Sequence, residues 1–178
     1  ANCGWMHGMP QAIKDAAETA GIATTLGSPL LANHVPRHDA LMVERMKAAG
    51  CIVVGKTNTP EFGLGSHTFN EVFGVTRNAF DRTKSAGGSS GGAAVALATR
   101  MLAVADGSDF MGSLRNPAAW NNVFGLRPSE GRVPRWPAQD VWVTQLSTEG
   151  PMGRSVRDVA LLLDVQAGYD PRTPLSLA

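Results

Sequence analysis

Apolar residues recur at helical spacing in separate stretches of the chain, and each stretch predicts a helix. The first helix is expected over residues 39–50, with Asp39 as its N-cap. A second is expected over residues 90–100, where alanines dominate. The third is expected over residues 155–168, because Ser155 opens a sequence that resembles a capping box and the apolar spacing continues from there.

Short apolar runs follow the first two predicted helices and indicate strands. The run Cys51-Ile-Val-Val-Gly55 is rich in β-branched residues and is bounded by glycines, which favours a buried strand. Residues 101–105 are expected to form another strand, which leads into the polar sequence Asp106-Gly-Ser-Asp109. A further strand is expected after Pro10. This alternation of helix and strand predicts one α/β domain.

The charge balance excludes one class of partner. The chain has 178 residues, with 16 Lys and Arg against 15 Asp and Glu, which gives a formal net charge of +1. A surface that binds nucleic acid needs a basic excess, so we expect no nucleic-acid partner. Hydrophobic residues make up 43% and charged residues 17% of the chain. This composition favours a globular protein with either a large core or a partly covered surface.

Cysteine usage and the apolar runs bear on the compartment. The chain has two cysteines, Cys3 and Cys51, which are too few for a disulfide scaffold. No basic stretch followed by an apolar segment opens the sequence, and the longest apolar stretch, Ala93 to Ala98, is too short to span a bilayer. We therefore expect a cytoplasmic protein with no membrane partner.

The run Ser85-Ala-Gly-Gly-Ser-Ser-Gly-Gly92 stands directly before the second predicted helix. It is compatible with a flexible loop or with a phosphate nest, although it lacks the lysine of a Walker A loop. It also contains Gly-x-Ser-x-Gly around Ser89 and around Ser90, but every histidine of the chain precedes Ser89, which argues against the α/β-hydrolase order of catalytic residues. A nucleophilic serine here needs a different base, and a buried lysine that loses its charge can serve.

Two further motifs flank this run. Residues 8–15 have the pattern Gly-x-Pro-x-x-x-Lys-Asp, and residues 109–117 have the pattern Asp-x-x-Gly-Ser-x-Arg-x-Pro. With Gly-Gly-Ser-Ser-Gly-Gly between them, this order resembles the amidase signature family from about Gly8 to Leu163. The resemblance implies a mixed central β-sheet covered by helices on both faces. It also implies hydrolysis of a small-molecule carboxamide by a Ser–cis-Ser–Lys triad.

The family's catalytic roles map onto matching positions of this chain. The resemblance implies that Ser113 is the acyl-forming nucleophile, that Ser89 is the bridging serine on a cis peptide bond, and that Lys14 is the base. A proton relay of this kind suits a serine hydroxyl, which is a poor nucleophile until its proton is accepted. The backbone N–H groups implied for the oxyanion hole are those of Phe110, Met111, Gly112 and Ser113. The implied supporting residues are Gly87, Gly88, Ser90, Asp109 and Arg115.

Some of these positions carry a structural expectation as well. Asp109 and Arg115 are interpreted as partners that shape the loop before the nucleophile, and Ser90 as the cap of the helix that follows it. Met111 departs from the family, which more often has glycine there. Its side chain is expected to crowd the acyl pocket and to change the size of substrate that fits.

The remaining polar residues suggest no second chemistry. Lys56 and Lys84 are expected to be solvated surface lysines. His34, His38 and His67 are expected to make loop hydrogen bonds, because no pair of histidines or cysteines has metal-ligand spacing. The mechanism implied by the resemblance needs no metal and no cofactor, so none is expected.

Three functions remain open at this point. The chain is predicted to be a small-molecule amidase, with a glutaminase-type subunit of an amidotransferase complex and a catalytically incompetent fragment of an amidase as the alternatives. Members of the family are usually much longer, so residues 1–178 are expected to be one truncated catalytic core. A missing C-terminal region would then cover part of the surface, and a homo-oligomer is an alternative.

Overall fold

The structure is a computed structural model, and it describes residues 3–138, 140 and 146–177. The helices of these residues are α1 (Leu41–Ala48), α2 (Gly91–Ala98), α3 (Arg115–Trp120) and α4 (Val156–Gln166). The strands are β1 (Pro10–Lys14), β2 (Ile52–Thr57), β3 (Phe69–Asn70), β4 (Gly74–Val75), β5 (Val104–Asp109), β6 (Phe124–Gly125) and β7 (Thr148–Gly153). Short 3-10 turns are found at Pro29–Leu31 and Glu61–Gly63.

The strands pair in both directions, as predicted for a mixed sheet. Strands β1 and β2 are parallel, and Lys14 is paired with Thr57. Strand β7 lies between β5 and β6 and is antiparallel to both. Strand β1 also lies beside β5, where the backbone N–H of Lys14 donates to the carboxylate of Asp106 at 3.0 Å. This contact brings the end of β1 to the polar half of β5.

Helices cover both faces of these strands. Successive side chains of a strand point to opposite faces, so Ala12 and Ile13 face opposite sides, as do Val104 and Ala105. Ile13 and Val104 pack into a core with side chains of α1 and α4. Ala12 and Ala105 pack against a second core, which is built from α2 and α3. The predicted arrangement of helices on both faces of a mixed sheet is confirmed.

Helix α1 forms where it is predicted, but the prediction of its cap is wrong. The helix begins after Ala40, whose side chain cannot cap it. Asp39 instead accepts the Ala20 N–H at 2.7 Å and pairs with Lys47 at 2.7 Å. The carboxylate is therefore used to join α1 to an earlier loop, and it is not available to the first turn.

The strand predicted at residues 51–55 is present as β2, but it is not a buried strand. Ile52 and Val54 are 57% and 63% exposed. Within the described residues β2 pairs only with β1, so it is an edge strand with one set of alternate side chains uncovered. An apolar run alone does not distinguish a strand buried on both faces from an edge strand of this kind.

The other predicted elements differ mainly at their ends. Ser155 accepts the Asp158 N–H at 3.1 Å, which confirms the predicted cap of α4. Helix α2 occupies most of residues 90–100. The strand predicted at residues 101–105 starts only at Val104 and continues to Asp109, because β7 supplies a partner for every one of these residues.

Candidate active site

Lys14 is the most deeply buried charged side chain of the site. It lies at the end of β1 and is 1% exposed. Its Nζ is 2.7 Å from the Ser89 Oγ, 2.9 Å from the Ser90 Oγ and 2.9 Å from the Ser108 Oγ. These hydroxyls come from the start of α2 and from β5, so the amine joins three separate segments of the chain.

Burial changes the acidity of this amine. Desolvation lowers the pKa of Lys14 from its usual value to about 7, although Asp106 and Asp109 act in the opposite direction. Three hydroxyl groups solvate the amine in place of water without adding a negative charge. A large fraction of Lys14 is therefore neutral near pH 7, which is the form that accepts a proton.

Ser89 is held in a tightly packed glycine-rich segment. It is 2% exposed, and the Gly88–Ser89 peptide bond is cis. A Cβ at Gly88 would lie 2.9 Å from the backbone nitrogen of His67, and Gly87 has a φ of +76°. Both glycines are therefore required by close approach or by backbone conformation. The segment is a fixed part of the site rather than a flexible loop.

Ser90 has a different role from the predicted cap. Its side chain makes no cap hydrogen bond to α2. Its hydroxyl instead contacts the Lys14 amine and lies 3.4 Å from the backbone oxygen of Ser108, to which it donates. The capping prediction is wrong because the buried lysine offers this hydroxyl a stronger partner than the helix N-terminus does.

Ser113 shares a cavity with Ser89. The cavity measures about 540 Å³, and Ser108 and Met111 also line it. The backbone N–H of Ser90 donates to the Ser113 carbonyl oxygen at 3.2 Å, which ties the two serine segments together. Within the described part of the chain the Ser113 hydroxyl makes no hydrogen bond to Ser89. The structure thus brings Lys14, Ser89 and Ser113 to one site, with the final hydroxyl contact not yet made.

The loop before Ser113 offers backbone donors to the cavity. The N–H groups of Phe110, Met111 and Ser113 have no acceptor among the residues that the structure describes. The Gly112 N–H donates to the Asp109 carboxylate at 2.7 Å, so this one is occupied. Of the four N–H groups implied for an oxyanion hole, the other three are available.

Asp109 organises the same loop. The carboxylate is fully buried and also accepts hydrogen bonds from Arg115, at 3.0 Å, and from Arg127. Burial alone would raise the pKa of Asp109, but the hydrogen bonds from Arg115, Gly112, Leu114 and Arg127 outweigh it and hold that pKa well below its usual range. A carboxylate this strongly held is suited to shaping a loop and not to proton transfer.

The two lysines predicted to be solvated behave differently. Lys84 is exposed, as predicted. Lys56 is half-buried, and its amine donates to the Ala17 carbonyl at 2.6 Å and to the hydroxyls of Thr19 and Thr24. Burial lowers the pKa of Lys56 to about 8. The prediction for Lys56 is wrong because the loop at residues 17–24 folds over it.

Three residues near Lys14 are missed by sequence reasoning. Ser108 contacts the amine, Asp106 holds the backbone of Lys14, and Glu149 is buried nearby. The polar sequence from Asp106 to Asp109 at the end of an apolar run is the one signal that indicates the first two. Glu149 has no such local signal, since it reaches the site through strand pairing.

The histidines and acidic residues do not converge on a metal. His67 Nδ1 lies 2.9 Å from the Ser85 Oγ, which is the loop hydrogen bond predicted for it, and His34 and His38 are exposed. In residues 3–138, 140 and 146–177 no group of three or more His, Cys, Asp or Glu side chains is placed to hold a metal ion. Over the same ranges no helix combines the length and apolar character that a bilayer crossing requires.

Comparison with known proteins gives a consistent result. A family model described as Amidase matches residues 1–178. Among curated proteins, a glutamyl-tRNA(Gln) amidotransferase subunit of Thermus thermophilus is 49% identical over 172 residues, which covers 97% of this chain and 36% of the relative. The chain therefore spans about a third of the length of the curated relatives it matches.

Solved structures agree with the sequence comparison. A bacterial aryl acylamidase of the amidase signature family superposes with a TM-score of 0.92 at 38% identity, covering 99% of this chain and 37% of the other. The peptide amidase of Stenotrophomonas maltophilia superposes with a TM-score of 0.89 at 39% identity, covering 97% and 36%. The fold and the order of its elements are thus shared with enzymes that are named for amide bonds.

Proposed function

The chain belongs to the amidase family, and we propose that it hydrolyses a carboxamide to a carboxylate and ammonia or an amine through a seryl acyl-enzyme. The observation that carries this proposal is the contact between the buried Lys14 amine and the Ser89 hydroxyl, beside a cavity that also contains Ser113. Residues 1–178 are proposed to act as one catalytic core, and the acyl and amine groups of the substrate are left open.

The first step is removal of a proton from Ser113. A neutral amine has one lone pair, so Lys14 accepts one hydrogen bond from the hydroxyls around it. Ser90 donates its own hydroxyl proton toward the Ser108 carbonyl, which leaves Ser89 as the hydroxyl best placed to donate to the amine. Ser89 can then accept the Ser113 proton while its own passes to Lys14.

The attack of the Ser113 oxygen on the amide carbonyl creates a tetrahedral oxyanion. The free N–H groups of Phe110, Met111 and Ser113 are proposed to bind it, and each such donor contributes roughly 10²–10³ to kcat. Collapse of this intermediate breaks the C–N bond, and Lys14 returns its proton through Ser89 to the departing nitrogen. A water molecule then attacks the acyl-enzyme by the same relay, releasing the carboxylate and restoring Ser113.

Covalent labelling tests this proposal directly. The protein is incubated with a fluorophosphonate, its intact mass is measured, and any adduct is located by peptide mapping. One adduct on Ser113, absent in Lys14→Met and in Ser113→Ala, is expected. Lys84→Met serves as the control, because it removes an exposed lysine and should leave labelling unchanged. An adduct at another residue, or full labelling of Lys14→Met, contradicts the assignment.

A second function is favoured by one specific observation. The curated relatives that match, at 43–49% identity, are named as a subunit of glutamyl-tRNA(Gln) amidotransferase. The same nucleophile and base would then release ammonia from glutamine for use by a partner chain. Turnover of glutamine together with stable co-purification of another protein supports this alternative, whereas turnover of simple amides by the isolated chain supports the amidase.

A further inference from the structure

Glu149 is a buried acid beside Lys14 that the proposed mechanism does not use. It lies on β7 opposite Ser108 of β5, and Ser108 Oγ accepts a hydrogen bond from the Lys14 amine at 2.9 Å. Its side chain is 8% exposed, and its Oε2 has no hydrogen-bond partner among the described residues. A buried carboxylate oxygen without a donor is unfavourable, so this position calls for a physical explanation.

A small cavity separates Glu149 from Lys14. It measures about 30 Å³ and is lined by both residues, together with Asp106, Ser108 and Arg135. A cavity needs roughly 10–15 Å³ to hold a water molecule, and this lining offers donors as well as acceptors. The two ionisable side chains therefore face one polar space that is closed to bulk solvent on most sides.

Their charges are linked through that space. Burial lowers the pKa of Lys14 to about 7, while Asp106, Asp109 and Glu149 favour its ammonium form and Arg135 opposes it. Burial also raises the pKa of Glu149 to about 7, while Arg135 and Lys14 favour its carboxylate form and Asp106 opposes it. Both groups thus change charge over the same range of pH.

Other elements packed against this pair add little charge. Helix α2 and strand β6 contain no ionisable residue. Lys56 of β2 is directed into the loop at residues 17–24, and Asp158 of α4 packs against the far end of β7. Asp15, which follows Lys14, is bound by the backbone and hydroxyl of its own loop partner. Asp106 is the remaining close acid, and its oxygens are held by the Lys14 backbone.

We propose that Glu149 is a positioning residue for the charge of Lys14: its carboxylate retains the proton on Lys14 in mildly acidic solution and so sets the pH at which the site becomes active. This inference rests on the proposed function, in which neutral Lys14 is the base. When Glu149 is ionised, it stabilises the ammonium and opposes proton uptake from Ser113. When Glu149 is protonated, that restraint is removed.

The first test is the pH dependence of fluorophosphonate labelling. Glu149→Gln keeps the size of the side chain and removes its charge, so the acid limb of the labelling rate should move to lower pH by about half to one unit, since a nearby opposite charge shifts a pKa by about 1–3 units. Glu149→Asp restores a carboxylate and should return the limb toward that of the unmodified protein. Asp164→Asn removes a charge from an exposed position on α4 and should leave the limb in place. An unmoved limb in Glu149→Gln, or an equal shift in Asp164→Asn, overturns the proposal.

The second test needs no catalysis. The Glu149 carboxyl is titrated by ¹³C NMR in the full chain and in Lys14→Met, with the resonance assigned by its loss in Glu149→Gln. Electrostatic coupling is reciprocal, so removing the positive charge should move the titration of Glu149 to higher pH. An unchanged titration overturns the proposal. A shifted titration in a protein that no fluorophosphonate labels contradicts the proposed function alone, and a labelled protein with neither shift contradicts the role of Glu149 alone.

Discussion

The Nζ of Lys14 lies 2.7 Å from the Oγ of Ser89, although 75 residues separate them along the chain. The amine at one end of this contact is almost completely shielded from solvent, and the hydroxyl at the other end borders a cavity that substrate can enter. A proton can therefore pass between the cavity and the protein interior through a single hydroxyl. The chemistry proposed for the chain depends on this one contact.

Replacing the base should remove most of the activity. Lys14→Met keeps an unbranched apolar chain but removes the amine, so kcat/KM for a simple amide should fall by about 10²–10⁴, the usual contribution of a general base. Steady-state release of ammonia measures the change. Lys84→Met is the matched control, and its activity should equal that of the unmodified protein because its amine is in solvent. Equal losses in the two variants would contradict the role of Lys14.

The pH dependence follows from the charge of the same amine. Burial lowers the pKa of Lys14 to about 7, and only its neutral form accepts a proton. The rate should therefore be low in acid, rise through about pH 7 and level off in alkaline solution. A profile of kcat/KM against pH measures the limb. Lys56 also titrates near this range, so Lys56→Arg, which keeps a positive charge throughout, should leave the midpoint where it is. A flat profile would contradict a lysine base.

Met111 should limit the size of the acyl group. Its side chain is 80% exposed and lines the cavity, where the family more often has glycine. Met111→Ala should raise kcat/KM for a bulky aryl amide relative to acetamide, by about 10-fold if several methylene groups of space are released. Met101→Ala is the control, since Met101 is similarly exposed but lies outside this cavity. An unchanged ratio in Met111→Ala would show that another residue sets the limit.

The two partners of the loop-shaping ion pair should contribute unequally to stability. Asp109 is fully buried and accepts several hydrogen bonds, so Asp109→Asn should lower the free energy of unfolding by about 2–3 kcal/mol. The Arg115 side chain is 54% exposed, and Arg127 remains to pair with Asp109, so Arg115→Ala should cost less than about 1 kcal/mol. Urea unfolding of both variants measures the difference. Equal losses would mean that the exposed pair carries the effect.

Local features of the fold are well predicted from sequence. The Ser155 cap and the apolar spacing after it define α4 because both signals lie within one or two turns of the same helix. The three motifs also indicate which residues come together, and the structure places Lys14, Ser89 and Ser113 around one cavity. Their catalytic roles stay predictions until the variants above are measured.

Features that depend on partners distant in sequence are not predicted. Glu149 reaches Lys14 only because β7 pairs with β5 in one register, and a change of one residue would turn the side chain to the other face. Lys56 looks like a surface lysine until the loop at residues 17–24 covers it. Ile52 looks buried until the pairing of β2 is known. In each case the deciding contact lies outside the window in which a pattern can be recognised.

The spread of the site along the chain has a consequence during translation. Ser108 follows Lys14 by 94 residues. At about 5–20 residues per second, roughly 5–20 s pass on the ribosome between the synthesis of the lysine and that of its last hydroxyl contact. Through that interval the amine has an ordinary affinity for protons and no serine to activate. A nascent chain therefore carries no premature reactivity, and the base acquires its unusual acidity only when the distant strands close around it.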